Sequence, residues 1–251
     1  MQTTKADELP ENPRERSNPF SELMLCFVFP VLFKGRKKTL EQSDLYRPLK
    51  EHKSDTLGDR LCSAWDEEVS QRSAQGKQPR LGRVVIRVFG WHLFVTGLLL
   101  GIREFVVKVT QPMCLYGIMS YFSNEDTDPL KAQLYAAGLI TASVLSVVTG
   151  HPFILGLLHL GMKMRVALCS LVYRKALRLS HTSLGDTSIG QVVNLLSNDV
   201  SRFDVILINV HFMWLAPLEL FVVTFLMYQK IGVASFFGVA IMLLFLPFQA
   251  Y

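Results

Sequence analysis

The chain has 251 residues, of which 50% are hydrophobic and 19% charged, and its formal net charge is +5. The hydrophobic share and a mean hydropathy of +0.28 exclude an intrinsically disordered protein and a small disulfide-stapled domain. The four cysteines lie far apart without a Cys-x-x-Cys pair, so the sequence predicts neither a metal site nor a disulfide framework. Residues 84–251 hold only 11 of the 26 basic residues, which favours a lipid bilayer as the partner and argues against nucleic acid.

Residues 1–80 are predicted to form a polar, cytoplasmic N-terminal region. The apolar stretch 23–33 is too short to cross a bilayer, which takes about 20 helical residues. Basic residues follow it directly, where anionic lipid headgroups would attract them, although a solvated basic turn fits equally well. Residues 56–71 are predicted to form a soluble helix, because Thr56 and Asp59 have the spacing of a capping box and apolar residues recur on one face.

Residues 81–251 are predicted to be the membrane part of an all-α, polytopic protein. Residues 81–89 have the apolar period of a short amphipathic helix that lies in the membrane surface. Four apolar stretches, each long enough to span a bilayer, follow at about 91–122, 133–162, 205–228 and 231–251. Basic residues concentrate in the N-terminal region and in the segment 163–204, so the positive-inside rule places both in the cytoplasm.

The segment 163–204 is predicted to be a helical projection from the membrane. Residues 163–179 continue the second span as a helix, and a helix beginning at Ile189 runs unbroken into the third span and ends near Tyr228. The turn between them is a candidate for docking on a cytoplasmic partner, the alternative being an ordinary loop. Its candidate residues are Ser180, His181, Thr182, Ser183, Leu184, Gly185, Asp186 and Thr187.

Charged side chains near the middle of the first span are the main candidates for a substrate pathway. Arg103, Glu104 and Lys108 are costly at that depth and are expected to face a bundle interior or a water-filled cavity. Glu104 and Lys108 have the i, i+4 spacing of an ion pair, so the alternative is a pair that only neutralises itself. The further pathway candidates are His151, Phe212, Trp214 and Glu219. Packing roles compete for the histidine and the two aromatic residues, and Glu219 is expected to be a lone acid facing protein or water.

No catalytic residues are predicted in this chain. The sequence contains no G-x-x-x-x-G-K-[ST] phosphate loop, no H-E-x-x-H and no plausible nucleophile elbow. The chain is therefore not expected to hydrolyse ATP on its own.

Several stretches resemble ABC transporters of subfamily C. They are NPF…VLFKGRKKTLEQSDLY, VTQPMCLYGIMSYF, HFMWLAPLE and, most specifically, HPFILGLLHLGMKMRVALCSLVYRKALRLSHTSLGDTSIGQVVNLLSNDVSRFD. Together they cover residues 18–251 with few gaps. The sequence is similar to the short multidrug resistance-associated proteins and to the cystic fibrosis transmembrane conductance regulator.

This resemblance implies that the chain contains the first four helices of an ABC exporter (type 1) transmembrane domain and that these helices have long cytoplasmic extensions. Residues 18–55 would be the N-terminal lasso, 81–89 the elbow helix and 180–187 the first coupling helix. Lys108 matches a basic residue of the family's translocation pathway, whereas Glu219 stands where a neutral amide is expected. ATP and Mg²⁺ would bind to nucleotide-binding domains, which, with the remaining transmembrane helices, are absent from this chain.

The function expected from the resemblance is the N-terminal membrane portion of an ATP-driven exporter of amphipathic organic anions, in the plasma membrane. Two alternatives stay open. One is a portion of a chloride channel of the same fold. The other is a truncated product that does not transport and only assembles with a partner.

Overall fold

The computed structural model describes residues 9–123, 128–178 and 189–249. No β-strand occurs within these ranges, so the all-α prediction is confirmed. Three helical runs, Leu81–Phe122, Pro129–Arg178 and Gly190–Ile231, are long and apolar enough to cross a membrane. The chain divides into unit 1 (Met1–Leu98 and Ser146–Ile208) and unit 2 (Leu99–Leu145 and Asn209–Tyr251).

The N-terminal segment of unit 1 is a series of short helices. The α-helices are α1, Pro19–Leu23, and α2, Phe29–Lys37. Single 3-10 turns occupy Pro13–Arg16, Cys26–Val28, Gln42–Asp44 and Lys50–His52. Proline at the first turn of both α-helices suits their start, because that position needs no backbone hydrogen bond.

The buried carboxylate of Asp44 fixes the turn after α2. It accepts hydrogen bonds from the Nζ atoms of Lys34 (2.7 Å) and Lys38 (2.8 Å) and from the Glu41 backbone N (3.1 Å). The ammonium groups of Lys34 and Lys38 hold the pKa of Asp44 well below its usual range. Because this pKa is lowered on folding, the carboxylate stabilises the turn at every pH above the ordinary carboxyl value.

We predict that this turn is insensitive to pH between 8 and 5. The stabilisation falls away only at more acidic pH, as Asp44 takes up a proton in the folded state. Asp44→Asn removes the charge, so exchange of the backbone amides of residues 38–45 should become several-fold faster at both pH values. Amide hydrogen exchange, corrected for the intrinsic effect of pH, measures this. Unchanged exchange in Asp44→Asn would contradict it.

The soluble helix predicted at residues 56–71 is confirmed as a helix and is longer, running from Ser54 to Ala74 as α3. The predicted capping box is wrong, because the helix begins two residues earlier, after Lys53, and no side chain caps it. The Asp59 carboxylate instead accepts a hydrogen bond from Arg174 Nη1 (2.6 Å). Burial of Leu57 and Leu61 on the opposite face holds α3 in unit 1.

The first span begins earlier than predicted. Helix α4 runs from Leu81 to Phe122 without interruption. The prediction that residues 81–89 form a separate elbow helix is therefore wrong, because these residues are the first part of α4. The amphipathic pattern of these residues is real, since Val84, Val85 and Phe89 are buried. Gly90 alone does not break the helix, because a glycine costs only about 1 kcal/mol in a helix interior and no proline occurs before Pro112.

The extension of the second span is confirmed. Helix α5 runs from Pro129 to Arg178, 50 residues, which is more than twice the length that a bilayer requires. The predicted docking residues, Ser180 to Thr187, lie outside the described residues.

The helix predicted to run from Ile189 into the third span is continuous in the structure as far as Ile231, but its hydrogen-bond pattern is not regular. Helix α6 (Ile189–Asn194) is followed by a π-helical turn at Leu195–Asp199, a 3-10 turn at Val200–Arg202 and then helix α7 (Phe203–Ile231). Hydroxyl groups compete with the regular ladder here. Ser197 Oγ donates to the Val193 carbonyl and Ser201 Oγ to the Asn198 carbonyl, each at 2.8 Å, and such bonds favour bends.

The fourth apolar stretch forms helix α8, Ala234–Gln249. It begins three residues later than predicted because Gly232 adopts a left-handed conformation (φ 66°) that ends α7 and permits the turn. The described helix has 16 residues, so a complete fourth span stays a prediction.

Helix α5 is the centre of unit 1. Close to Asp59–Arg174, a Cβ added at Gly58 of α3 would collide with Ser170 of α5. On α7, Asp204 accepts a hydrogen bond from Arg165 Nη1 of α5 (2.6 Å). The same helix carries buried leucines at positions 157, 160, 168 and 171. Side chains from elements before and after α5 in the sequence thus brace this part of the helix.

Candidate substrate-pathway site

A cluster of four charged side chains lies in unit 2, on α4 and α7. Glu104 and Lys108 are one helical turn apart on α4, so their side chains meet, with Lys108 Nζ 3.2 Å from Glu104 Oε2. Arg103 Nη1 donates to Glu104 Oε1 from the other side. Helix α7 supplies Glu219, whose Oε2 accepts a hydrogen bond from Lys108 Nζ at 2.6 Å. Two cations and two carboxylates therefore form one chain of contacts with no net charge.

The expectation that Glu219 is a lone acid is wrong, because it binds Lys108 across 111 positions of sequence. Its side chain is 13% exposed and that of Glu104 11%, whereas that of Lys108 is 46% exposed. Glu219 Oε1 is buried without a hydrogen-bond partner. The carboxylates are thus withdrawn into the protein, while the cation between them remains accessible.

An open cleft of about 610 Å³ begins at Lys108. Gln111 lies one turn further along α4 and its Nε2 donates to Ser143 Oγ of α5 (3.3 Å). The other lining residues are apolar or proline: Pro112, Leu115, Leu139 and Val223. The cleft offers one cation and a polar amide beside a hydrophobic wall, which suits an amphipathic molecule that carries a negative charge.

Sequence reasoning missed Gln111 and Ser143. The i, i+3 spacing of Lys108 and Gln111 places both on one face of α4, which could have identified the amide. Nothing in the local sequence marks Ser143, whose position depends on how α5 packs.

The remaining candidates do not gather at this cleft within the described part of the chain. His151 is exposed on α5 and belongs to unit 1. Phe212 and Trp214 lie on α7 in unit 2, 40% and 43% exposed, and neither is among the residues that line the cleft. The Trp214 indole Nε1 faces Nδ1 of the buried His211 at 3.5 Å, and its ring passes close to Gly101 of α4. This geometry favours a packing role for Trp214.

Comparison with known proteins agrees with this architecture. Residues 93–251 match the ABC transporter transmembrane region. The chain is 46% identical over 250 residues to the "Probable multidrug resistance-associated protein lethal(2)03659" of Drosophila melanogaster, a match covering 100% of this chain and 18% of the relative. It is 36% identical over 247 residues to "ATP-binding cassette sub-family C member 4" of Homo sapiens, covering 97% of this chain and 19% of the relative. The protein of the same name from Mus musculus is also 36% identical over 247 residues.

The chain thus spans less than a fifth of the length of these relatives. The family match covers most of the chain, and three of its helical runs are long and apolar enough for a bilayer. The chain therefore belongs to the ABC transporter transmembrane region family.

Proposed function

We propose that this chain forms part of the pathway of an ATP-driven exporter for amphipathic organic anions, with Lys108 as the residue that binds the anionic group. The accessible Lys108 ammonium beside the hydrophobic wall of this cleft is the observation that carries the proposal. An ammonium ion binds carboxylate, sulfonate and phosphate oxygens strongly where little water competes. Leu115, Leu139 and Val223 supply the surface for the hydrophobic part of the same molecule.

Glu219 makes the site competitive, because its carboxylate binds Lys108 when no substrate is present. A substrate anion has to displace the Glu219 carboxylate, which lies 2.6 Å from Nζ. Glu104 keeps Lys108 in place during the exchange, since it remains one turn away on the same helix. The internal carboxylate therefore raises the concentration of anion that is needed to fill the cleft.

The energy source is assigned to partner domains. Under this proposal ATP and Mg²⁺ bind to nucleotide-binding domains outside this sequence, on which residues 180–187 dock, and the remaining transmembrane helices complete the bundle. The residues present do not fit a nucleotide site, since the sequence has no phosphate loop. The basic residues of the N-terminal region support a cytoplasmic N-terminus, and the plasma membrane is the proposed location.

Vesicle transport tests this function directly. Inside-out vesicles from cells that express the longest form of the protein are given carboxyfluorescein, an anion, or rhodamine 123, a cation with a related ring system. We expect uptake of carboxyfluorescein that requires ATP, and none of rhodamine 123 above vesicles without the protein. Equal uptake of both dyes, or uptake without ATP, would overturn the assignment.

The second candidate function is an anion channel, because an accessible cation in a cleft also attracts chloride. Chloride current across the same membranes, without dye uptake, would establish it. Neither current nor uptake, together with co-purification of a full-length transporter, would establish a product that only assembles with a partner.

Glu219→Gln is predicted to strengthen anion transport at low substrate concentration. The neutral amide no longer competes for Lys108, so the KM for carboxyfluorescein should fall, by about tenfold if the displaced ion pair is worth ~1.4 kcal/mol. Glu219→Asp is the matched control, since it keeps the charge and should keep KM near the wild-type value. Initial uptake rates over a range of dye concentrations give both constants. A higher KM in Glu219→Gln would show that the carboxylate helps rather than hinders binding.

A further inference from the structure

A second cavity, of about 390 Å³, lies entirely within unit 1, where the N-terminal segment packs on α5. Its walls carry three permanent cations, Arg14, Arg47 and Lys163, and two histidines, His52 and His159. None of the described residues that line it is acidic. The proposed transport pathway does not use this cavity.

The cations are held in place by contacts around the cavity. Arg47 Nε donates to the Leu9 carbonyl (2.7 Å), and Arg14 contacts both the His159 ring and the face of the Phe27 ring (5.7 Å). Lys163 Nζ donates to Glu51 Oε2 at 2.6 Å.

The acids that balance these cations lie towards water. The Glu51 side chain is 55% exposed, and Glu22, which is 3.6 Å from Arg14, is 51% exposed. Solvent screens such carboxylates, so they compensate the cations only partly and the cavity remains electropositive.

His52 provides an independent indication of a ligand. Its side chain is only 9% exposed and contacts the His159 ring in a tilted arrangement, with the centroids 5.3 Å apart. Its Nε2 atom is buried without a hydrogen-bond partner, the Glu51 carboxylate being 3.4 Å away. Burial, with Lys163 and Arg14 nearby, lowers the pKa of His52, so the ring is neutral at neutral pH. In the tautomer that carries its proton on Nε2, this nitrogen donates to an anionic oxygen in the cavity, which supplies the missing partner.

We propose that this cavity binds a phosphoryl group, whose oxygens accept hydrogen bonds from Arg14, Lys163 and His52. Guanidinium groups match the geometry of phosphate oxygens, and a single carboxylate would leave part of a three-cation cavity unbalanced. The volume exceeds that of one phosphate, so the cavity also has space for a glycerol or similar polar group. The source is a lipid headgroup or a free phosphate compound, and the chemistry of recognition is the same for both.

The test measures binding to the longest form of the protein, purified in detergent. The probes are dioctanoyl phosphatidic acid, inorganic phosphate and, as a control with identical acyl chains, dioctanoyl phosphatidylcholine. Variants are Lys163→Met and His52→Leu, with Lys175→Met as the matched control, because Lys175 lies on the same helix and packs on Trp65 outside the cavity. His52→Gln retains an N–H donor near the position of Nε2.

We expect phosphatidic acid to bind, and its Kd to rise at least tenfold in Lys163→Met and in His52→Leu. Lys175→Met should stay within twofold of wild type, and His52→Gln should recover most of the loss. Phosphate binding with the same variant pattern assigns a free phosphate compound as the ligand, and phosphatidic acid binding alone assigns a lipid. Equal binding of phosphatidylcholine, an equal loss in Lys175→Met, or no binding of either phosphoryl probe would overturn the proposal.

Discussion

Lys108→Met is expected to destabilise unit 2 strongly. The substitution leaves Glu104 and Glu219 withdrawn from water without the cation that they share. Removing one partner of a fully buried ion pair costs about 3–5 kcal/mol, and because Lys108 is half exposed we expect about 2–3 kcal/mol here. Thermal unfolding of the protein in detergent should show a clear fall in Tm.

The double variant Lys108→Met/Glu219→Gln separates folding from function. It removes both the cation and one of its carboxylates, so most of the lost stability should return. Uptake of carboxyfluorescein should not return, since the anion has lost its binding group. Recovery of both stability and uptake would mean that the four charges only neutralise one another. A double variant as unstable as Lys108→Met would contradict the contact between α4 and α7.

Gly161→Ala is expected to destabilise unit 1 by about 1–3 kcal/mol, the usual cost of overpacking. A Cβ built at Gly161 of α5 would lie 3.0 Å from Asp204 Cα and 3.3 Å from the Phe203 carbonyl oxygen of α7. Both are backbone atoms, which cannot rotate away as a side chain can. The helices must therefore separate, and this strains the neighbouring hydrogen bond between Arg165 and Asp204.

Gly156→Ala is the matched control for this prediction. Gly156 lies on the same helix in the same unit, and a Cβ built there meets nothing within 4 Å. Alanine should be neutral there or stabilise the helix by up to ~1 kcal/mol. The two variants are compared by Tm under one set of conditions. Equal Tm values would show that α5 and α7 do not approach so closely.

Local sequence patterns predicted much of the helical structure and part of the site. The apolar length and period of residues 133–178 are continuous, so α5 could be predicted beyond the lipid-spanning part. The Glu104–Lys108 pair followed from a spacing of four residues. The match of residues 93–251 likewise confirmed the family that the quoted motifs indicated.

The features that could not be predicted depend on contacts between distant parts of the chain. Glu219 reaches Lys108 across 111 positions, and no local signal in α7 indicates a partner on α4. The close approach at Gly161 depends on how two helices cross. The elbow boundary failed for a different reason, since an amphipathic pattern gives a buried face but does not show where a helix ends. The docking role of residues 180–187 stays a prediction.

The π-helical turn at Leu195–Asp199 sets the angular register of one helical run. A π turn accommodates one residue more than an α turn, and each residue of an α-helix advances by about 100°. The wider π turn takes up its extra residue within one revolution, so deleting a single residue here would let the ladder close as ordinary α-helix and leave the faces of α6 and α7 in the same register, whereas the same deletion in regular α-helix would rotate one of them by roughly that angle. A one-residue gap in this stretch, between otherwise similar proteins, would thus preserve the helix faces on both sides of it.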